Sequence, residues 1–242
     1  MGRWVTTSRA MMPDDLQRGR TSVPTVPVAR WRDGVLVAIV AVMTAWIAVS
    51  AFAIARADLG SAAARQRVTA WVTGASPPGS VADWNAAQSA LAAAISMTPA
   101  NPDLYDRMGD LFAAAGQRDW SPNEHVHAHY NDAAKWYRRA IELRPSEPGT
   151  WAMLAAALQA AGDDGAGVHQ AWARALALGP YEGNVQPVLL EVVLTDWQGA
   201  SPPMRAWAEK LFDDSDQSAR KNINAMAAVH GLAFNADIPA KR

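Results

Sequence analysis

The chain contains no cysteine. That removes disulfide scaffolds, zinc ribbons, iron–sulfur clusters and thiol nucleophiles together. It says little about compartment, because a chain without thiols suits reducing and oxidising surroundings alike. Charge of one sign is also missing: 22 Lys+Arg stand against 23 Asp+Glu, a net charge of −1, which lacks the electrostatic footprint of a general nucleic-acid binder. There is no Gly-rich phosphate loop, no Gly-x-Ser-x-Gly elbow and no His-Glu-x-x-His pair, and the carboxylates follow helix surfaces rather than converging at strand ends. The expectation is a chain that is not an enzyme and takes no cofactor. What 242 residues, 50% of them hydrophobic, do supply is enough apolar surface for a real core.

Residues 34–55 form a run of 22 without charge, flanked by Arg30, Arg32 and Asp33 before it and Arg56 after it. As a helix the run is about 33 Å long, sufficient for a hydrocarbon core of about 30 Å. Its few polar groups are Thr44, Ser50 and the Trp46 indole, and the two hydroxyls can return hydrogen bonds to the helix backbone. A single membrane-spanning helix is therefore expected, with the lipid bilayer as partner for 34–55. Two Ala-x-Ala triplets, at 53–55 and 55–57, resemble signal-cleavage sites. The run exceeds a signal core of about 7–15 residues, so an uncleaved anchor is expected. Within about 20 residues of the span, four arginines precede it and three follow, which favours a cytoplasmic N-terminus. Residues 1–33 carry six Arg against three Asp, leaving 16 basic and 20 acidic residues for the remainder. The first segment, rich in Arg, Ser, Thr and Pro, is expected to be a disordered tail, and the exterior domain to be mildly acidic with no footing for nucleic acid.

The second half repeats itself. Residues 94–116 match residues 140–162, and a third copy of the opening motif lies at 175–180, at separations of 46 and then 35 residues. Tyr105, Met108, Gly109 and Phe112 are followed by Ala133, Tyr137, Ala140 and Pro145; Trp151, Leu154, Ala155 and Leu158 are followed by Val168, Trp172, Ala175 and Pro180. Large residues three and four apart make one apolar stripe, small residues allow close helix approach, and each proline ends a helix. This pattern resembles the tetratricopeptide repeat, whose period is about 34 residues; the first separation exceeds it by an insertion at 117–129. Residues 84–97 with Ala87, Leu91 and Ala94 are similar to an earlier second helix, 185–197 and 203–212 to a degenerate pair, and 217–229 to a terminal cap. The expected fold is all-α: one transmembrane helix followed by a tetratricopeptide-like solenoid. The expected organisation is a tail at 1–33, the span at 34–55, a juxtamembrane helix and linker at 56–80, the repeat domain at 81–231 and a tail at 232–242.

Within that frame, Asp103, Asp106 and Asp110 share one helix stripe, and the resemblance places them with Ala152, Ala156 and Gln159 on the partner groove, where a basic segment would dock. The competing expectation is that Asp103 complements its helix N-terminus and the other two are solvated. His125, His127 and His129 are the candidate metal ligands, but a solvated loop or helix start is the expected setting. Arg138, Arg139 and Arg144 are expected on an exposed helix face. Trp84, Trp136, Trp151, Trp172, Trp197 and Trp207 are expected in the core rather than stacking on sugars.

Residues 147–154, 175–185 and Asp196-Trp197 resemble the small membrane-anchored tetratricopeptide proteins of the VpsP type. The closest echo is Leu178-Gly-Pro-Tyr-Glu182, where those relatives carry Trp at the position of Tyr181 and Pro at the position of Gly183. The resemblance implies a bacterial inner-membrane protein with a periplasmic domain that binds membrane or periplasmic assembly components in exopolysaccharide biosynthesis or export. Similar motifs occur in the MxaK-like accessory proteins of methanol oxidation, which imply the alternative of an assembly chaperone for a periplasmic metalloenzyme or cytochrome.

Overall fold

A computed structural model describes residues 28–76, 80–117, 123–163 and 165–234. Among them are nine helices and no strand: α1 Val28–Val72, α2 Val81–Met97, α3 Pro102–Gly116, α4 Asn123–Leu143, α5 Pro148–Ala160, α6 Ala166–Leu178, α7 Gln186–Thr195, α8 Pro202–Asp214 and α9 Gln217–Val229. The chain divides into two compact units, residues 1–49 and 50–242. Most of the expected N-terminal tail, through residue 27, and the C-terminal residues 235–242 lie outside the described residues. Residues 28–33, expected in that tail, are helical instead. The helix does not stop where the apolar run stops, because Arg is as good a helix former as Leu.

In the first unit, the described part of α1 exposes its side chains throughout residues 31–49. Thr44 Oγ1 donates to the Val40 carbonyl at 2.8 Å, so the hydroxyl inside the apolar run is satisfied by its own helix. Among the described helices, α1 is the one long and apolar enough to cross a membrane.

In the second unit, each helix from α2 to α9 packs on its sequence neighbours, α3 on α4 and α5 on α6 most extensively, with α5 also touching α7. Nearest-neighbour stacking of this kind is what helical repeats require to bury faces that one pair leaves open. The array starts earlier than residue 81. Ala57, Ser61, Ala64, Val68 and Trp71 of α1 are buried, at alternating spacings of four and three that keep one face inward. Residues 56–72, read from sequence as a juxtamembrane helix, thus contribute an inward face to the core of the second unit. The buried Ser61 hydroxyl donates to Ala57 O at 2.7 Å.

The prolines work as expected, and with a regularity that the sequence did not disclose. α2, α4 and α6 end at Met97, Leu143 and Leu178, two residues ahead of Pro99, Pro145 and Pro180. In each case the residue six positions beyond the proline donates to the proline carbonyl: Tyr105 Oη to Pro99 O, Trp151 Nε1 to Pro145 O and Gln186 Nε2 to Pro180 O, all at 2.9 Å. Each connection is thereby tied to the helix that follows it. Asn101 caps α3 by accepting from Asp103 N at 3.1 Å, with Pro102 in the first turn where its missing N–H costs nothing. All six candidate tryptophans pack in or against the core. Two also donate across helices, Trp84 Nε1 to Leu111 O at 3.2 Å and Trp172 Nε1 to Leu189 O at 3.1 Å.

Candidate functional site

A groove of about 1100 Å³ lies between the second half of α1 and the helices α3, α5 and α7. α1 presents Arg65, Gln66 and Thr69 to it; α3 presents Asp103, Asp106, Arg107 and Asp110; α5 presents Thr150 and Met153, and α7 presents Val188. Tyr137 of α4 closes its floor, and Arg144 and Glu147 line it from the α4–α5 connection.

Its polar groups form two linked clusters. Arg144 holds Asp103 and Asp106 at 2.8 and 2.9 Å through its two Nη atoms, with Glu147 at 3.7 Å from Nε. The second oxygen of Asp106 accepts from Thr150 Oγ1 at 2.9 Å. One turn along α3, Asp110 accepts from Arg107 Nη1 and from Tyr137 Oη, both at 2.8 Å. Tyr137 reaches that carboxylate because its ring lies against Gly109, where any Cβ would come within 2.5 Å of ring carbon Cε1. Glycine at 109 is needed for close approach of α3 and α4, not for backbone freedom.

Burial sets the protonation of these groups. It pushes Asp106 up to about 6, against the opposing pull of the Thr150 hydrogen bond and the Arg144 charge. Burial likewise raises Asp110, and Arg107 and Tyr137 pull it back only in part. The Tyr137 hydroxyl is driven well above its ordinary range, first by burial and then by the Asp110 charge, so it remains a donor. The groove therefore offers hydrogen-bond acceptors and paired charges, and one carboxyl that takes up a proton close to neutral pH.

The structure brings Asp103, Asp106 and Asp110 together on this groove, but it does not leave the last two solvated. Asp110 is buried, and the Asp106 side chain is 20% exposed. Arg144, expected on an exposed face, is instead the hub of the network; Arg138 and Arg139 are exposed as expected. The α5 wall differs from expectation. Ala152 is fully buried, Ala156 is half-buried, and Gln159 spends its amide on Val192 O of α7 at 2.9 Å. α7 packs on that side of α5 and covers it, leaving Thr150 and Met153 to face the groove.

The histidines lie in the first turns of α4, so the helix-start reading describes them. A helix turns 100° per residue, which sends His127 to the side opposite His125 and His129. His127 Nδ1 lies 3.1 Å from Ala160 O, and His129 sits 6.4 Å from the rings of both Trp84 and Phe112. Among the described residues no group of three or more His, Asp or Glu is placed to hold a metal ion. Residues 118–122 of the expected insertion lie outside the described residues.

No protein-family model matches the chain, and no curated protein matches it significantly. Its class is thus defined by the fold and the groove: an all-helical chain with one long apolar N-terminal helix and a polar groove lined by its stacked helices.

Proposed function

We propose that the protein is a non-catalytic scaffold anchored in a bacterial inner membrane by residues 34–55, with a cytoplasmic N-terminus. Its periplasmic helical domain holds a protein partner in exopolysaccharide biosynthesis or export. The observation that carries this reading is the groove. Its lining joins four carboxylates, Asp103, Asp106, Asp110 and Glu147, to three arginines, Arg65, Arg107 and Arg144, and that surplus of negative charge suits a partner segment bearing basic residues.

The pathway rests on a different feature. Tyr181, at the centre of the Leu178–Glu182 motif that resembles the VpsP type, is 91% exposed. An aromatic ring with no packing role is what a binding surface presents, so that motif is read as a second contact point.

Photo-crosslinkers at Gln66 and Met153, which face the groove, should capture a partner that a crosslinker at the remote Arg138 does not. Equal capture from all three positions would remove the groove from consideration. Deletion of the gene should impair surface polysaccharide and leave periplasmic oxidation enzymes intact. Normal polysaccharide combined with loss of a periplasmic metalloenzyme would overturn the pathway in favour of the accessory role.

A further inference from the structure

The apolar run does not end at the border between the two units, for its last six residues, 50–55, belong to the second. In the first unit Ala38, Ala41, Ala45 and Ala48 are all exposed, as on a bare helix. Ser50 and Ala53 are half-buried, and Ala57 is 2% exposed. The buried stripe of α1 therefore reaches back into the apolar run by about two turns.

Beside this stretch lies a small cavity of about 390 Å³. Its walls are Ile54 and Asp58 of α1 and the four residues of the α2–α3 turn, Thr98, Pro99, Ala100 and Asn101. The level of that turn along α1 follows from helix geometry. At about 1.5 Å per residue, Asp58 is about 4.5 Å beyond Ala55, the last residue of the run, and Ile54 is within the run. The headgroup region on each side of a bilayer is about 5–8 Å deep.

From these positions we infer that the α2–α3 turn and the last turn of α2 lie in the headgroup layer of the membrane that α1 crosses, with phospholipid occupying the cavity beside Ile54. The inference rests on the reading of 34–55 as a membrane span. Composition supports it independently. Residues 84–102 carry no charged side chain, in a domain otherwise rich in both signs. At the level in question the exposed residues are Ala92, Ala93, Ser96, Pro99 and Ala100. Contact with lipid there costs no charge desolvation. The charged wall residue, Asp58, is paired with Arg65 Nη2 at 3.3 Å, two turns farther from the run, so its charge is engaged on the side away from the membrane.

The absence of native cysteine makes the test direct. Single Ala45→Cys, Ala100→Cys and Ala82→Cys variants, all at exposed positions, carry a nitroxide in the full chain. The chain is reconstituted into vesicles of phosphatidylcholine and phosphatidylglycerol. Collisions with oxygen, which enters lipid, are compared with collisions with a water-soluble nickel complex. Ala45 should favour oxygen strongly, Ala82 should favour nickel, and Ala100 should show nickel collisions several-fold below those at Ala82 with oxygen retained. Nickel access at Ala100 equal to that at Ala82 overturns the docked turn while the span stands. Nickel access at Ala45 overturns the span and the inference with it. Shielding of Ala100 from both agents overturns lipid as the occupant and shows that protein, such as a second copy, covers the turn.

Discussion

Tyr137 spans α4 and α3 in two ways at once: its ring lies against Gly109, and its hydroxyl donates to Asp110 at 2.8 Å. One contact demands the absence of a side chain and the other demands a carboxylate one residue on. Together they lock the register of the two helices that form the largest helix–helix contact of the domain. Several consequences can be measured.

Gly109→Ala forces a methyl within 2.5 Å of the Tyr137 ring, and the ring cannot yield without releasing Asp110. Overpacking of this kind costs about 1–3 kcal/mol. Gly60→Ala, on a part of α1 where a Cβ would meet nothing within 4 Å, should stabilise by up to about 1 kcal/mol through helix propensity alone. Opposite signs for the two variants, read from denaturant unfolding in detergent, are expected. Equal effects would place the glycine requirement in the backbone rather than in the ring contact.

Tyr137→Phe keeps the ring and removes the donor. Asp110 is then left with Arg107 on one oxygen and nothing on the other, a loss of about 1–3 kcal/mol for a buried acceptor. Tyr105→Phe removes the partly exposed bond to Pro99 O and should cost about 1 kcal/mol or less. A larger loss for Tyr105→Phe than for Tyr137→Phe contradicts the ranking.

Asp106 makes stability depend on pH. Its folded pKa of about 6 exceeds the ordinary aspartate value of 3.8, so between these values the folded chain binds more protons than the unfolded one. Stability from this group falls as pH rises from about 4 to about 6. Asp106→Asn abolishes that slope. The difference in unfolding free energy between wild type and Asp106→Asn should move in favour of the wild type on acidification from pH 7 to pH 4, by something on the order of 3 kcal/mol. A difference independent of pH would show that Asp106 is not desolvated.

Arg144→Ala removes the cation shared by Asp103, Asp106 and Glu147. Without it the Asp106 carboxyl should titrate higher still, and the destabilisation should be larger above pH 6 than at pH 5, where that carboxyl accepts a proton. Arg139→Ala, on an exposed pair with Glu142, should change stability little at either pH.

Much of the architecture was legible because it is periodic. The uncharged run at 34–55, the three prolines and the recurrence of Tyr105 and Trp151 ahead of small residues at 109 and 155 are local patterns, and helix geometry converts them directly into elements. The inward stripe Ala57, Ser61, Ala64, Val68 and Trp71 was present in the same form. It passed as a juxtamembrane segment because two of its five members are alanine and one is serine, so the periodicity carries little hydrophobic contrast.

The groove was legible only in outline. The stripe of Asp103, Asp106 and Asp110 could be placed on one helix face, yet its partners Arg144 and Thr150 stand 38 and 44 residues from Asp106. Ala152 occupies the same place in its repeat as Asp106, but it is buried in the core. The sequence alone determined most of the helices, their order and where α2, α4 and α6 must end, since those follow from spacing, proline and small residues within one or two turns. Which polar groups become buried, and which carboxyl titrates near neutral pH, was decided only by the packing of α1, α3, α5 and α7. Desolvation depends on what neighbouring helices cover, and no local pattern records that.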